Sequence, residues 1–78
     1  MKIKFSLHFI GRLAERGISV DHLKQAIQYP DYRKGVSEGR ILVGKKVVDK
    51  TIEVVYYRKQ INARWIECKI ITAYYINL

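Results

Sequence analysis

Pro30 is the only proline in the chain, and the sequence changes character across it. A residue that precedes proline is pushed out of the α region, so a helix arriving from the N-terminal side must end at Tyr29. Before Pro30 the apolar residues recur at helical spacing; after it they alternate or run in β-branched stretches. Val20, Leu23, Ala26 and Ile27 make one apolar helix face, with Lys24, Gln25 and Gln28 mostly opposite. Ser19 is a candidate N-cap, and Asp21 lies in the first turn, where the helix dipole favours an acid.

Upstream, Ser6 to Gly17 carries its own start and stop signals. Ser6 can cap a first turn, and Gly17 can enter the left-handed conformation that ends a helix. Leu7, Ile10, Leu13 and Ala14 share one side of this helix. His8, Arg12 and Arg16, spaced i, i+4, i+8, form a near-axial row on the other. A row of His and Arg suits anion recognition, because guanidinium binds phosphate through paired hydrogen bonds and His exchanges protons near neutral pH. A solvated polar face over an ordinary core accounts for the same spacing.

At the start of the chain Lys2-Ile3-Lys4-Phe5 alternates polar and apolar, as a short strand or an extended lead-in would; the other strands follow Pro30. Asp31 to Val36 reads as a short edge strand and Ser37-Glu38-Gly39 as a turn. Arg40 to Val48, Thr51 to Lys59 and Arg64 to Ile76 read as strands, with a tight turn at Asp49-Lys50. Regular alternation along the last puts Ile66, Cys68, Ile70, Thr72 and Tyr74 on one face, the more apolar, which is expected to meet the helices. The fold expected is therefore α+β: two N-terminal helices packed on one face of a three- to four-stranded antiparallel sheet. Residues 1–78 form a single domain.

Fifteen basic against seven acidic residues give a formal charge of +8. Such an excess implies an anionic partner, most often RNA or DNA, less often an acidic protein or a membrane surface. A lone cysteine, Cys68, excludes an intramolecular disulfide. No apolar run reaches membrane-spanning length and the first residues do not read as a signal peptide, so a cytoplasmic protein with no membrane role is expected.

Two histidines and one cysteine, with no zinc spacing, no Gly-rich phosphate loop and no carboxylate cluster, point away from metal and cofactor chemistry. General acid–base chemistry on a phosphodiester remains. RNA carries its own nucleophile, the 2′-hydroxyl beside the scissile phosphate, so a protein need only move protons and neutralise charge. His8, Arg12 and Tyr74 are the candidate catalytic residues, expected in one cleft between helix and sheet; Arg16, Arg40, Lys46 and Thr72 are the candidate substrate-binding ones. Each has an ordinary alternative. His8 fits a surface histidine equally well, and His22 reads as structural or solvated. The tyrosines at 56, 57, 74 and 75 fit strand packing, and Lys45-Lys46 a solvated pair on a hairpin edge.

The pattern H-F-I-G-R-L-A-E-R-G-I-S, a helix ending in Y-P-D, a strand hairpin and then I-I-T-A-Y resembles a family of small bacterial and archaeal domains, domain of unknown function 4258. That family is similar in fold to the barnase–EndoU–colicin–RelE class of metal-independent ribonucleases, many of them toxins of toxin–antitoxin pairs. The family's pattern falls on His8, Arg12, Arg16, Thr72 and Tyr74. The resemblance implies an RNA-cleaving or RNA-binding site, and an acidic antitoxin as a further partner. The chain ends Ile76-Asn77-Leu78 without a basic tail, which departs from RelE-like ribosome-dependent cleavage. The expected function is a small metal-independent endoribonuclease; the competing readings are a nucleic-acid-binding module without activity and an interaction protein for an acidic partner.

Overall fold

The computed structural model of the chain describes residues 2–5, 15 and 17–77. The helix expected over Ser6 to Gly17 lies outside them, apart from Glu15 and Gly17. The elements are β1 (Lys2–Phe5), α1 (Val20–Gln28), β2 (Tyr32–Gly35), a single 3-10 turn (Ser37–Gly39), β3 (Ile41–Val47), β4 (Lys50–Gln60) and β5 (Trp65–Asn77). One five-stranded sheet runs in the order β1-β5-β4-β3-β2. Strands β2 to β5 form an antiparallel meander, and β1 joins β5 in parallel, with Lys2 opposite Trp65.

This corrects the expected architecture. Among the described residues there is one short helix, not two, and the fold is mostly β. The sheet also has a fifth, parallel strand. The alternation of Lys2–Phe5 marks a short extended segment, but its parallel pairing depends on β5, some sixty residues later, which local pattern does not report.

Helix α1 forms where the sequence places it. Ser19 has extended dihedrals, and its side chain accepts a hydrogen bond from the N–H of His22; Tyr29 closes the helix with its N–H on Gln25 O at 2.8 Å. Leu23, Ala26 and Ile27 are the buried face. They meet Val43, Val47, Ile52, Val54, Tyr56, Cys68, Ile70 and Ala73 of the sheet in one apolar cluster. Full burial of side chains this size contributes about 1.5–3 kcal/mol each. The opposite face of the sheet carries no described helix. The turn between β3 and β4 lacks glycine, and Val48 there takes φ 57°, a costly region for a β-branched residue.

Candidate nucleic-acid interface on the open face

Strand β5 decides which side chains meet. Its pairing with β4 is regular from Gln60↔Ile66 to Tyr56↔Ile70 and resumes at Val55↔Thr72, so Ile71 is an extra residue. A β-bulge of this kind reverses the phase of the alternation beyond it. Cys68 and Ile70 face the helix before the bulge; Ala73 and Tyr75 do so after it. Thr72 and Tyr74, expected on the helix side, therefore lie on the open face, and Tyr74 is 39% exposed.

On that face one row crosses four strands. Tyr32 pairs with Gly44, Gly44 with Glu53, and Glu53 with Tyr74. Gly44 is what lets the row close: a Cβ there would overlap the Tyr32 ring, so the ring lies across β3 where a side chain would otherwise stand. From there the Tyr32 hydroxyl donates to Glu53 Oε2, while the Tyr74 hydroxyl donates to Oε1 at 2.8 Å. One half-buried carboxylate is thus held by two phenols from opposite sides. The hydrogen bond to Glu53, with some burial and the carboxylate's charge added, pushes the Tyr32 pKa up to about 12. Tyr74 is raised for the same reasons. Both phenols stay protonated donors at any physiological pH.

Lysines border this row. Lys34 Nζ lies 6.0 Å from the centre of the Tyr32 ring. Further down the sheet Lys69 Nζ lies 5.8 Å from the Tyr57 ring and 3.8 Å from Glu67 Oε1. Lys46 is two positions beyond Gly44 on the same side of β3 and is exposed; Thr72 sits in the neighbouring row, opposite Val55, a row that continues through Leu42 to Lys34 at the far edge. The face offers phenol rings, ammonium groups and one doubly held carboxylate.

The candidate residues from the sequence divide accordingly. Tyr74, Thr72 and Lys46 share the open face. Arg40 does not join them closely: it precedes β3, pairs with Glu38 at 3.6 Å, and stands about 20 Å from Lys46 along the strand. His8, Arg12 and Arg16 lie outside the described residues. The bulge turns Tyr74 to the sheet face opposite α1; the cleft expected with His8 and Arg12 involves residues outside those described.

Sequence reasoning missed Tyr32, Gly44 and Glu53. One signal was present, since an isolated glycine inside a strand marks a close approach of another group. It also missed a second polar cluster on the helix side. The Tyr75 hydroxyl accepts the Ser19 N–H at 3.0 Å and lies 3.0 Å from His22 Nδ1, and Lys50 Nζ is 4.8 Å from the Tyr75 ring centre. His22 thereby ties the start of α1 to β5.

Among the described residues no three His, Cys, Asp or Glu side chains come together as metal ligands. No described helix is long and apolar enough to cross a membrane. Burial pushes the Cys68 thiol up, away from the reactive thiolate. No curated protein and no solved structure matches the chain. A family model described as "Domain of unknown function (DUF4258)" matches residues 5–75, nearly the whole chain, and the protein belongs to that family.

Proposed function

We propose that this is a small RNA-targeting protein of toxin–antitoxin type that acts as a metal-independent endoribonuclease, with single-stranded RNA lying on the open face of the sheet. The observation that carries the reading is the Tyr32–Glu53–Tyr74 row. A carboxylate among Lys34, Lys46 and Lys69 repels phosphate. Its place there makes sense beside a group that gives up a proton, and the 2′-hydroxyl of RNA is such a group. Glu53 takes that proton as the 2′-oxygen attacks the adjacent phosphorus. Once Glu53 holds the proton and is neutral, the Tyr32 and Tyr74 hydroxyls turn from it and donate instead to the phosphoryl oxygens as negative charge builds on them. Lys34 and Lys46 neutralise neighbouring phosphates, Thr72 orients one, and the Tyr57 ring offers a stacking surface for a base. The leaving 5′-oxygen takes its proton from an acid; His8 is the candidate by chemistry, with Arg12, Arg16 and Arg40 as further cations for the chain of phosphates. The charge of +8 supports the RNA preference. A cytoplasmic location follows from that substrate.

The test is cleavage of a mixed-sequence RNA in EDTA. Products should end in 2′,3′-cyclic phosphate, and a deoxynucleotide at the cleaved position should block the reaction. Glu53→Gln and Tyr74→Phe should slow cleavage while leaving binding nearly intact. Loss of activity on chelation, or cleavage of the deoxy substrate, overturns the mechanism. His8→Ala separates two arrangements: if it alone silences cleavage and Glu53→Gln does not, the open face is only where RNA binds. The alternating Tyr32–Lys34 and Tyr57–Lys69 pairs favour that second reading, a binding module without activity.

A further inference from the structure

The sheet has an unfinished side. Strand β2 is its outermost member, and all four of its residues are exposed. The N–H of Val36 donates to Arg40 O at 2.9 Å. Stepping back by two, Lys34 opposite Leu42 and Tyr32 opposite Gly44 are in the same phase, so their backbone groups bond inward to β3. The N–H and C=O of Arg33 and Gly35 consequently point out of the sheet. An edge of this kind is a template for another strand.

We infer that this edge binds an extended acidic segment of a different protein, which adds to the sheet as a sixth strand beside β2. The alternating donors and acceptors at strand spacing suit a peptide backbone; a nucleic acid's phosphates only accept. Arg33 and Lys34 are adjacent, so their side chains leave β2 on opposite faces. An incoming strand answers them with two adjacent acidic residues, one on each side. Among the described residues neither cation has a carboxylate partner; Asp31, the nearest acid in sequence, is committed to the Lys46 N–H at 2.7 Å and to Lys45 at 3.6 Å. Tyr29, 69% exposed, and Val36, 46% exposed, flank the edge and give the segment an apolar anchor at each end. A second copy of this chain is a poor occupant. Each copy carries +8, and pairing β2 with β2 sets the same two cations against each other. This inference does not rest on the proposed RNA chemistry.

The probe is a fluorescein-labelled peptide with two adjacent glutamates flanked on each side by threonine and valine, titrated against the full chain and read by fluorescence anisotropy. Arg33→Pro removes an outward N–H and spares the inward bonds, and should weaken binding about tenfold; Arg33→Glu with Lys34→Glu should weaken it by more. The same peptide N-methylated at both glutamates keeps its charge but not its strand pairing, and should also lose about tenfold or more. Circular dichroism verifies that Arg33→Pro still folds; if it does not, the double charge reversal and the N-methylated peptide decide. Equal binding of the N-methylated peptide means attraction to a basic surface without strand addition, and overturns the inference. So does a failure of the parent peptide to bind, or sedimentation of the chain alone as a dimer that Arg33→Pro dissociates.

Discussion

The two faces of the sheet use the same residue types for different ends. Tyrosine shows this most clearly. On the covered face Tyr56 is 1% exposed and fills space under α1, and Tyr75 takes the Ser19 N–H to fasten the helix. On the open face Tyr32 and Tyr74 keep more than a third of their surface in solvent and direct both hydroxyls at one carboxylate. The covered face is built for packing, so its side chains answer to volume. The open face is built from polar groups at fixed distances, so its side chains answer to geometry. Substitutions should therefore cost stability on one face and function on the other.

The largest effect is expected on the covered face. Tyr56→Ala leaves a cavity beneath the helix and should remove about 3–5 kcal/mol of stability. That is a large part of the total for a chain of this size, and urea denaturation should show the variant partly unfolded at room temperature. Tyr74→Ala, on the other side of the same sheet, should change stability by no more than about 1 kcal/mol. Comparable losses at the two positions would mean the open face is covered in solution and would break the comparison. The next effect is on function. Glu53→Gln should slow RNA cleavage by about 10²–10⁴-fold, the usual contribution of one general base, with a denaturation midpoint close to that of the parent.

What could be read in the sequence follows the reach of local signals. The cap at Ser19, the stop before Pro30, the turn at Ser37–Gly39 and the strands from β2 to β5 were all legible, because each is written within a few neighbouring residues. The parallel pairing of β1 was not, since it depends on a partner distant in sequence. The site was half legible. Tyr74, Thr72 and Lys46 were singled out, yet Tyr74 and Thr72 were assigned to the wrong side. Nothing in the run Ile70-Ile71-Thr72 says which residue the ladder will leave unpaired. One extra residue at Ile71 exchanged Tyr74 for Tyr75 at the helix, and with it the partner of each. Deleting Ile71 is a direct test of that account. If the bulge is as described, the shortened strand pairs without interruption, Tyr75 stays with His22 and Tyr74 with Glu53. A regular ladder in the parent would instead have its faces exchanged by the deletion, and the protein would unfold.

A smaller effect is expected at the fastening of α1. Tyr75→Phe keeps the ring but strips the Ser19 N–H and His22 Nδ1 of their shared partner. The expected loss is about 1–2 kcal/mol, since the site is only part-buried and water can replace some of the bonding. Amide exchange should quicken in the first turn of α1 and hardly change in β2 and β3. A uniform change across the sheet would mean the hydroxyl supports the whole fold and not one helix end.

The smallest effect concerns pH, and it separates the faces without altering a packed residue. The Tyr32 phenol is raised from its ordinary 10.0 to about 12, chiefly by donating to Glu53. A group whose folded pKa lies above its unfolded value binds its proton more tightly in the native state. Its contribution is whole below pH 10 and is lost as pH climbs through about 12, once folded and unfolded phenols have both ionised. Tyr32 is partly exposed, so solvent screens the interaction and the contribution is a small one. Stability should accordingly fall between these two pH values, and the ultraviolet absorbance of tyrosinate should show a late-titrating component. Glu53→Gln removes the carboxylate's charge from the middle of the row. That component should then move back toward 10.0, and the alkaline loss of stability assigned to Tyr32 should disappear. If instead the late component survives Glu53→Gln unmoved, it does not owe its shift to the carboxylate, and the hydrogen-bonded row does not persist in solution.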